Sequence, residues 1–156
     1  MRSQAAIALV ICVTLLVTAT SLTAHHSFES GFDANKVVSS KGVVTRIEWV
    51  NPHSYILVDA TAADGTAERW AIEGPAPNQL ARRNIDKAFL KVGDVIEFCG
   101  YGTKDGVQPI RTTVGQDPRA SSSGRLIIAE LLTMADGRNI VWSPYGHTKC
   151  REMRHL

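Results

Sequence analysis

The segment Val43 to Trp49 alternates without a break: Val43, Thr45, Ile47 and Trp49 fall on one face of an extended chain, and Val44, Arg46 and Glu48 on the other. Strand side chains alternate between faces, so the pattern predicts a β-strand with one face toward a core. Asn51-Pro52 ends the run, because proline donates nothing to a ladder and restricts the residue before it. A second strand is expected from Ser54 to Ala60. Asp64-Gly65 then supplies the residues of a tight hairpin turn, and Thr66 to Glu73 returns as a third strand with Trp70 and Ile72 on one face. These three form a meander.

The pattern then changes. Pro75 to Arg83 reads as a short helix begun by proline and ended near Asn84, with its arginines toward water. Lys91-Val92-Gly93-Asp94 is a turn feeding a fourth strand, Val95 to Tyr101, and Asp105-Gly106 marks the next reversal. Residues 112 to 124, with Pro118 and a Ser-Ser-Ser-Gly run, read as a loop. Leu126 to Met134 has helical composition, but its place before Ala135-Asp136-Gly137 favours a hairpin with Asn139 to Trp142, and strand is the reading adopted. The result is an all-β chain with one short helix. The order β-β-β-α-β-β is that of a small OB-fold-like Greek-key β-barrel, with a β-sandwich as the alternative.

The N-terminus predicts a compartment. Arg2 precedes an uncharged apolar run over residues 5–19, and Ser21-Leu22-Thr23-Ala24 offers small residues for cleavage, the pattern of a secretory signal peptide; a membrane anchor is its rival. The expected organisation is residues 1–24 signal peptide, 25–42 N-terminal arm, 43–142 barrel domain and 143–156 C-terminal tail, in the periplasm or secreted, with no stable anchor after cleavage. Cys12 lies in the apolar run and goes with the leader. Cys99 and Cys150 stay, in a compartment that permits disulfides. Alternation puts Cys99 on the face of Glu97, opposite Ile96 and Phe98, where a C-terminal tail can reach it. A Cys99–Cys150 bridge and two separate thiols are both compatible with the sequence.

Charge narrows the partners. Arg2 is the only charge ahead of His25, so 16 of the 17 Lys and Arg side chains and all 15 Asp and Glu remain in the exported chain. That balance lacks the clustered basic excess of a nucleic-acid binder, and none is expected as a partner. The one basic cluster, Lys149, Arg151 and Arg154, reads as a solvated chain end. There is no Gly-x-Ser-x-Gly elbow, Cys-x-x-Cys pair or His-Glu-x-x-His helix. Gly100 to Gly106 lacks the Gly-Lys-Ser/Thr ending of a phosphate loop and reads as strand and turn.

Ala24-His25-His26-Ser27-Phe28, Phe32-Asp33, Lys41-Gly42-Val43-Val44, Glu48-Trp49-Val50-Asn51-Pro52-His53, Gly74, Pro77-Asn78, Arg82-Arg83 and Lys91-Val92-Gly93-Asp94 together resemble an uncharacterised family of small exported bacterial proteins. The resemblance covers roughly residues 24 to 106. It implies export and a small β-barrel, and it brings no activity.

Cleavage after Ala24 leaves His25 first, and its free amine and ring can chelate one metal ion. His53 at a strand start would add a third nitrogen, a donor set suited to copper. His26 is the weaker ligand, since adjacent residues of an extended chain point apart, and serves if His25 does not. The plainer readings are a solvated terminus, and a His53 that bonds loop carbonyls or packs on Trp49 and Tyr55. His147 and His155, in the polar tail, rank below these as ligands. Trp49, Trp70 and Tyr55 form either core or an aromatic platform. No catalytic residue is assigned. The leading reading is a non-enzymatic binding or accessory domain whose ligand is a small molecule, a metal ion or another envelope protein. Beside it stand a periplasmic copper protein using His25 and His53, and a hydrolase pairing His53 with Glu48, Asp59 or Glu73.

Overall fold

The computed structural model describes residues 28–104, 124–144 and 148–153. The chain order is α1 (Phe28–Gly31), β1 (Phe32–Trp49), β2 (Ser54–Thr61), β3 (Ala67–Gly74), α2 (Pro77–Ala81), β4 (Val95–Thr103), β5 (Gly124–Met134), β6 (Asn139–Val141) and α3 (Lys149–Met153). The fold is mainly β, as the alternation requires. Two helical turns beyond the expected one, α1 and α3, stand at the ends of the described chain. No helix among the described residues is long and apolar enough to cross a membrane.

The six strands form one sheet in the order β3-β2-β1-β4-β5-β6, and a further parallel pairing joins β3 to β5. Pairing therefore runs in a ring, β1-β2-β3-β5-β4 and back to β1, with α2 between β3 and β4. This barrel-like arrangement is the OB-fold-like order that the sequence led us to expect. Inside lie Val44, Ile56, Val58, Trp70, Ile72, Leu80, Leu90, Ile96, Phe98, Ile127, Leu132 and Trp142, all at most 3 % exposed.

The expected elements meet this frame with three differences. First, β1 begins at Phe32, eleven residues ahead of the expected start at Val43, so most of the predicted arm is strand, paired with β4 from Val37↔Tyr101 to Val43↔Val95. Second, the alternation of β1 is broken by a bulge between Val44 and Arg46. An extra residue reverses which face follows, so Val44 points inward with Ile47 and Trp49, while Val43 is exposed. Third, Arg83 does not face water. It donates to the backbone carbonyls of Val141 and, at 2.9 Å, Trp142, and burial pulls its pKa down. Arg82 is exposed as expected, and α2 gives way to Asn84 in the left-handed region at φ 59°.

Residues 124–134 are strand, although their Ala, Glu, Leu and Met content favours helix. β5 pairs with β4, β3 and β6, and its residues 127–134 are buried. Tertiary pairing here overrides propensity.

Outside the barrel-like ring lies a second apolar layer. Phe28, Phe32, Tyr101 and Ile128 form one cluster, and Cys99, Leu131 and Cys150 another. A disulfide joins Cys99 to Cys150 with Cα atoms 5.7 Å apart. Cys99 faces away from Ile96 and Phe98, as the alternation places it. The basic tail is not simply solvated: Lys149 Nζ donates to Ala34 O and Asn35 Oδ1, and Arg151 Nε to Glu130. Arg154 lies outside the described residues.

Candidate functional site

Register across the ring sets the outer face. Glu48 pairs with Tyr55, Tyr55 with Glu73, Glu73 with Ile128, Ile128 with Tyr101, and Tyr101 with Val37. Paired residues point to the same side, so these six side chains make one row on the outer face of the barrel-like sheet. The rungs Ile47↔Ile56 and Ile56↔Ile72, one position along, point inward.

His53 stands at the head of β2, after the cis Asn51-Pro52 peptide. Two residues before Tyr55, it reaches the outer row diagonally, and its Nδ1 lies 3.1 Å from Glu73 Oε1. The distance is that of a hydrogen bond; the alignment is not, and among the described residues the buried Nδ1 has no hydrogen-bond partner. Two donors held at this separation fit another arrangement. Ligand atoms about 2.1 Å from one metal ion, at angles near 95–110°, stand about 3.1–3.4 Å apart. His53 and Glu73 thus have the spacing of two ligands on one ion. Among the described residues no group of three His, Cys, Asp or Glu side chains gathers as a metal cluster, so any further donor must come from elsewhere. His25, His26, His147 and His155, named from the sequence, lie outside the described residues.

Of the three carboxylates considered as partners for His53, the structure brings up Glu73. Asp59 lies 3.6 Å from Arg69. Glu48 is 4 % exposed, with Arg46 Nε 3.1 Å from Oε1, yet among the described residues neither of its oxygens has a hydrogen-bond partner. Burial raises its pKa, and the nearby Arg46 charge opposes that only in part. A carboxyl whose folded pKa is raised favours folding in its protonated form. That contribution is complete below the unfolded pKa and is lost as the pH rises through the folded one. Glu48→Gln is therefore expected to unfold at higher urea than wild type at pH 7, with the gap closing as the pH falls below the carboxylate range; a lower midpoint at pH 7 would contradict this.

The aromatic platform does not form. Trp49 and Trp70 turn toward the core, Trp49 edge-on to Trp142 at 6.3 Å and Trp70 edge-on to Phe98 at 5.4 Å. Tyr55 lies on the opposite face. Glu130 is a functional-looking group that no sequence motif marks. Buried to 2 % exposure, it accepts from Tyr101 Oη at 2.7 Å, Cys150 N at 3.1 Å and Arg151 Nε at 2.7 Å. Burial first, and then the bond to this carboxylate, push the Tyr101 phenol far above its usual range. The network is structural: it ties α3 and the disulfide to the strand that carries Tyr101.

Fold and site together define a small barrel-like β domain with a histidine–carboxylate pair on its outer face. Residues 12–111 match the sequence model of a family of unknown function, DUF6152, and the chain belongs to that family. No protein of curated function matches it.

Proposed function

We propose that this protein is an exported, non-enzymatic accessory domain that binds one first-row transition-metal ion, copper above all, through His53 and the N-terminal His25, with the Glu73 carboxylate as a further ligand. The single observation that carries the reading is the His53–Glu73 pair: a buried imidazole nitrogen without a hydrogen bond among the described residues, 3.1 Å from a carboxylate oxygen. Export is supported by the leader pattern of residues 1–24 and by the Cys99–Cys150 disulfide, a bond that persists in oxidising compartments. Cleavage after Ala24 gives His25 an amine and a ring that chelate together. His26 is the substitute if the mature chain uses the second histidine.

The hydrolase reading draws on the same pair, since a carboxylate orients a histidine base. Ser54, the hydroxyl next to His53, is committed elsewhere: it is fully buried and donates to Pro75 O at 2.8 Å. Metal binding uses the pair without needing a nucleophile.

The test is intact-mass analysis of protein purified from its native compartment, followed by Cu(II) and Zn(II) titration. A mature start at His25 and one ion per chain are expected, with affinity falling at least about tenfold in His53→Ala and in His25→Ala, and falling as the donors protonate. A different first residue removes the amine chelate. Unchanged affinity in His53→Ala overturns the site.

A further inference from the structure

β1 outruns the strand on one of its sides. It pairs with β4 from Val37 to Val43, besides Phe32↔Thr103, but with β2 only from Gly42 to Trp49. Residues 37–41 therefore have a strand beside them on the β4 edge and, among the described residues, none on the other. Which backbone groups face the open edge follows from the turn before β4. Val44 N–H donates to Asp94 O, and Val44 O accepts from Gly93 N–H, so the Val44 backbone faces the β4 side. Backbone groups alternate between the two edges of a strand, so those of Ser40 and Val38 also face β4, and those of Lys41, Ser39 and Val37 face away. β2 ends at Thr61, opposite Lys41 in the Gly42↔Ala60 register. The N–H and C=O groups of Val37 and Ser39 remain as a template for one more strand. Val38 and Ser40, whose side chains point inward, are only half-buried where β2 has stopped.

A groove of about 430 Å³ lies beside this edge, lined among others by Ser39, Lys41, Cys99, Cys150 and Met153. Ser39 is small and exposed, so a side chain laid across it enters the groove, and Met153, 49 % exposed, offers an apolar wall. The surrounding charge is basic. Lys36 and Lys41 flank the open stretch, and Lys149 reaches its start from α3; all three are exposed. Lys36 Nζ donates to Thr103 O, and Lys149 Nζ to Ala34 O and Asn35 Oδ1. Among the described residues only Lys41 of the three meets a carboxylate, Glu97 at 3.1 Å, and the Asp33 carboxylate accepts from Asn35 N–H.

We infer that the open edge of β1 is a docking site for an extended, acidic segment of a partner protein, which adds a strand at Val37 and Ser39 and lays an apolar side chain over Ser39 into the groove. Backbone bonds supply the attachment in strand addition, and a pocket for alternate side chains supplies the choice. Lysines on an edge repel basic strands and discourage indiscriminate pairing. A second copy of this edge would bring both sets of lysines to one seam, which disfavours it. An acidic strand is the pairing that these charges favour. The inference stands independently of metal binding.

Hydrogen exchange of the free protein is the first test. The amides of Val37 and Ser39 are expected to exchange at least about tenfold faster than those of Val38 and Ser40. Equal protection would mean that the chain covers its own edge, and protection that grows with protein concentration would mean that a second copy does; either overturns the inference. The second test titrates the peptide acetyl-Glu-Glu-Val-Leu-Val-Glu-Glu-amide, which presents its leucine on the same face as two flanking glutamates. Binding should slow exchange at Val37 and Ser39, and should weaken as salt shortens the Debye length. N-methylation of the leucine, which removes the N–H that faces Ser39, is expected to weaken binding at least about tenfold without any change to the protein. The counterpart with lysine in place of glutamate should bind at least about tenfold more weakly, and the Lys36→Glu/Lys41→Glu protein should reverse that preference. No protection at about 1 mM acidic peptide, or equal binding of the two peptides, would refute the docking site.

Discussion

Replacing Cys99 and Cys150 together by alanine is expected to lower the unfolding free energy by about 4 kcal/mol, because the bridge closes a loop of about fifty residues in the unfolded chain. The two cysteines are 51 positions apart. The sulfurs also join α3 to β4, and the loss spreads through that junction. Cys150, 1 % exposed, donates its backbone N–H to Glu130, and Arg151 beside it bonds the same carboxylate. Without the bridge, α3 is held by these bonds and by those of Lys149 to Ala34 and Asn35, and the Arg151 contact is worth less than its 2.7 Å suggests because that side chain is 40 % exposed. Domains of this size have about 5–15 kcal/mol in total, so the double variant should be marginal at 37 °C. Urea unfolding of the oxidised wild type and the double variant checks this. A difference below about 1 kcal/mol would mean that the bridge constrains little of the unfolded chain.

Trp142→Ala should cost as much, about 3–5 kcal/mol, through the cavity it leaves. The indole is fully buried, edge-on to Trp49, and lies against the backbone of Gly74, where an added Cβ would come within 2.2 Å of Nε1. Its backbone is held from two sides: Trp142 N donates to Glu130 O at 2.8 Å, and Arg83 donates to its carbonyl. Among the described residues the buried Nε1–H has no acceptor, and an unmet group of this kind costs about 1–3 kcal/mol. Trp142→Phe removes that donor along with part of the ring, and its loss should be distinctly smaller than that of Trp142→Ala. Denaturant midpoints of the two variants decide the matter. Equal losses would show that the indole N–H is satisfied in solution.

Strands and turns bounded by Asn51-Pro52, Asp64-Gly65 and Gly93-Asp94 could be read from the sequence because each is a local statement about backbone. What required a partner could not. Residues 32–42 become strand because β4 lies beside them, and their burial shows no regular period. The bulge that turns Val43 outward is one extra residue opposite β2, invisible in a chain that alternates cleanly. Arg83 looks like any helix-face arginine until carbonyls 58 and 59 positions away arrive at it. The site behaves the same way. His53 stood out as a histidine at a strand start, but Glu48, Asp59 and Glu73 were equivalent carboxylates until the Tyr55↔Glu73 register selected one. Cys99 was placed correctly because facing outward follows from alternation alone; its bond to Cys150 needed the tail.

The parallel seam between β3 and β5 has a consequence for how the molecule is made. Its partners, from Arg69↔Gly124 to Glu73↔Ile128, are 55 positions apart, whereas the β2–β3 hairpin closes within a few residues. Long-range pairings bear their loop-closure entropy before any contact rewards it, so they form late. A nascent chain that has reached Thr103 holds every residue of β1 to β4, but the strand that seals the ring has not yet appeared. Until it does, the inward side chains of β3 and β4 have no lid. A polypeptide with that order of assembly completes its core only once residues 124–128 have been delivered.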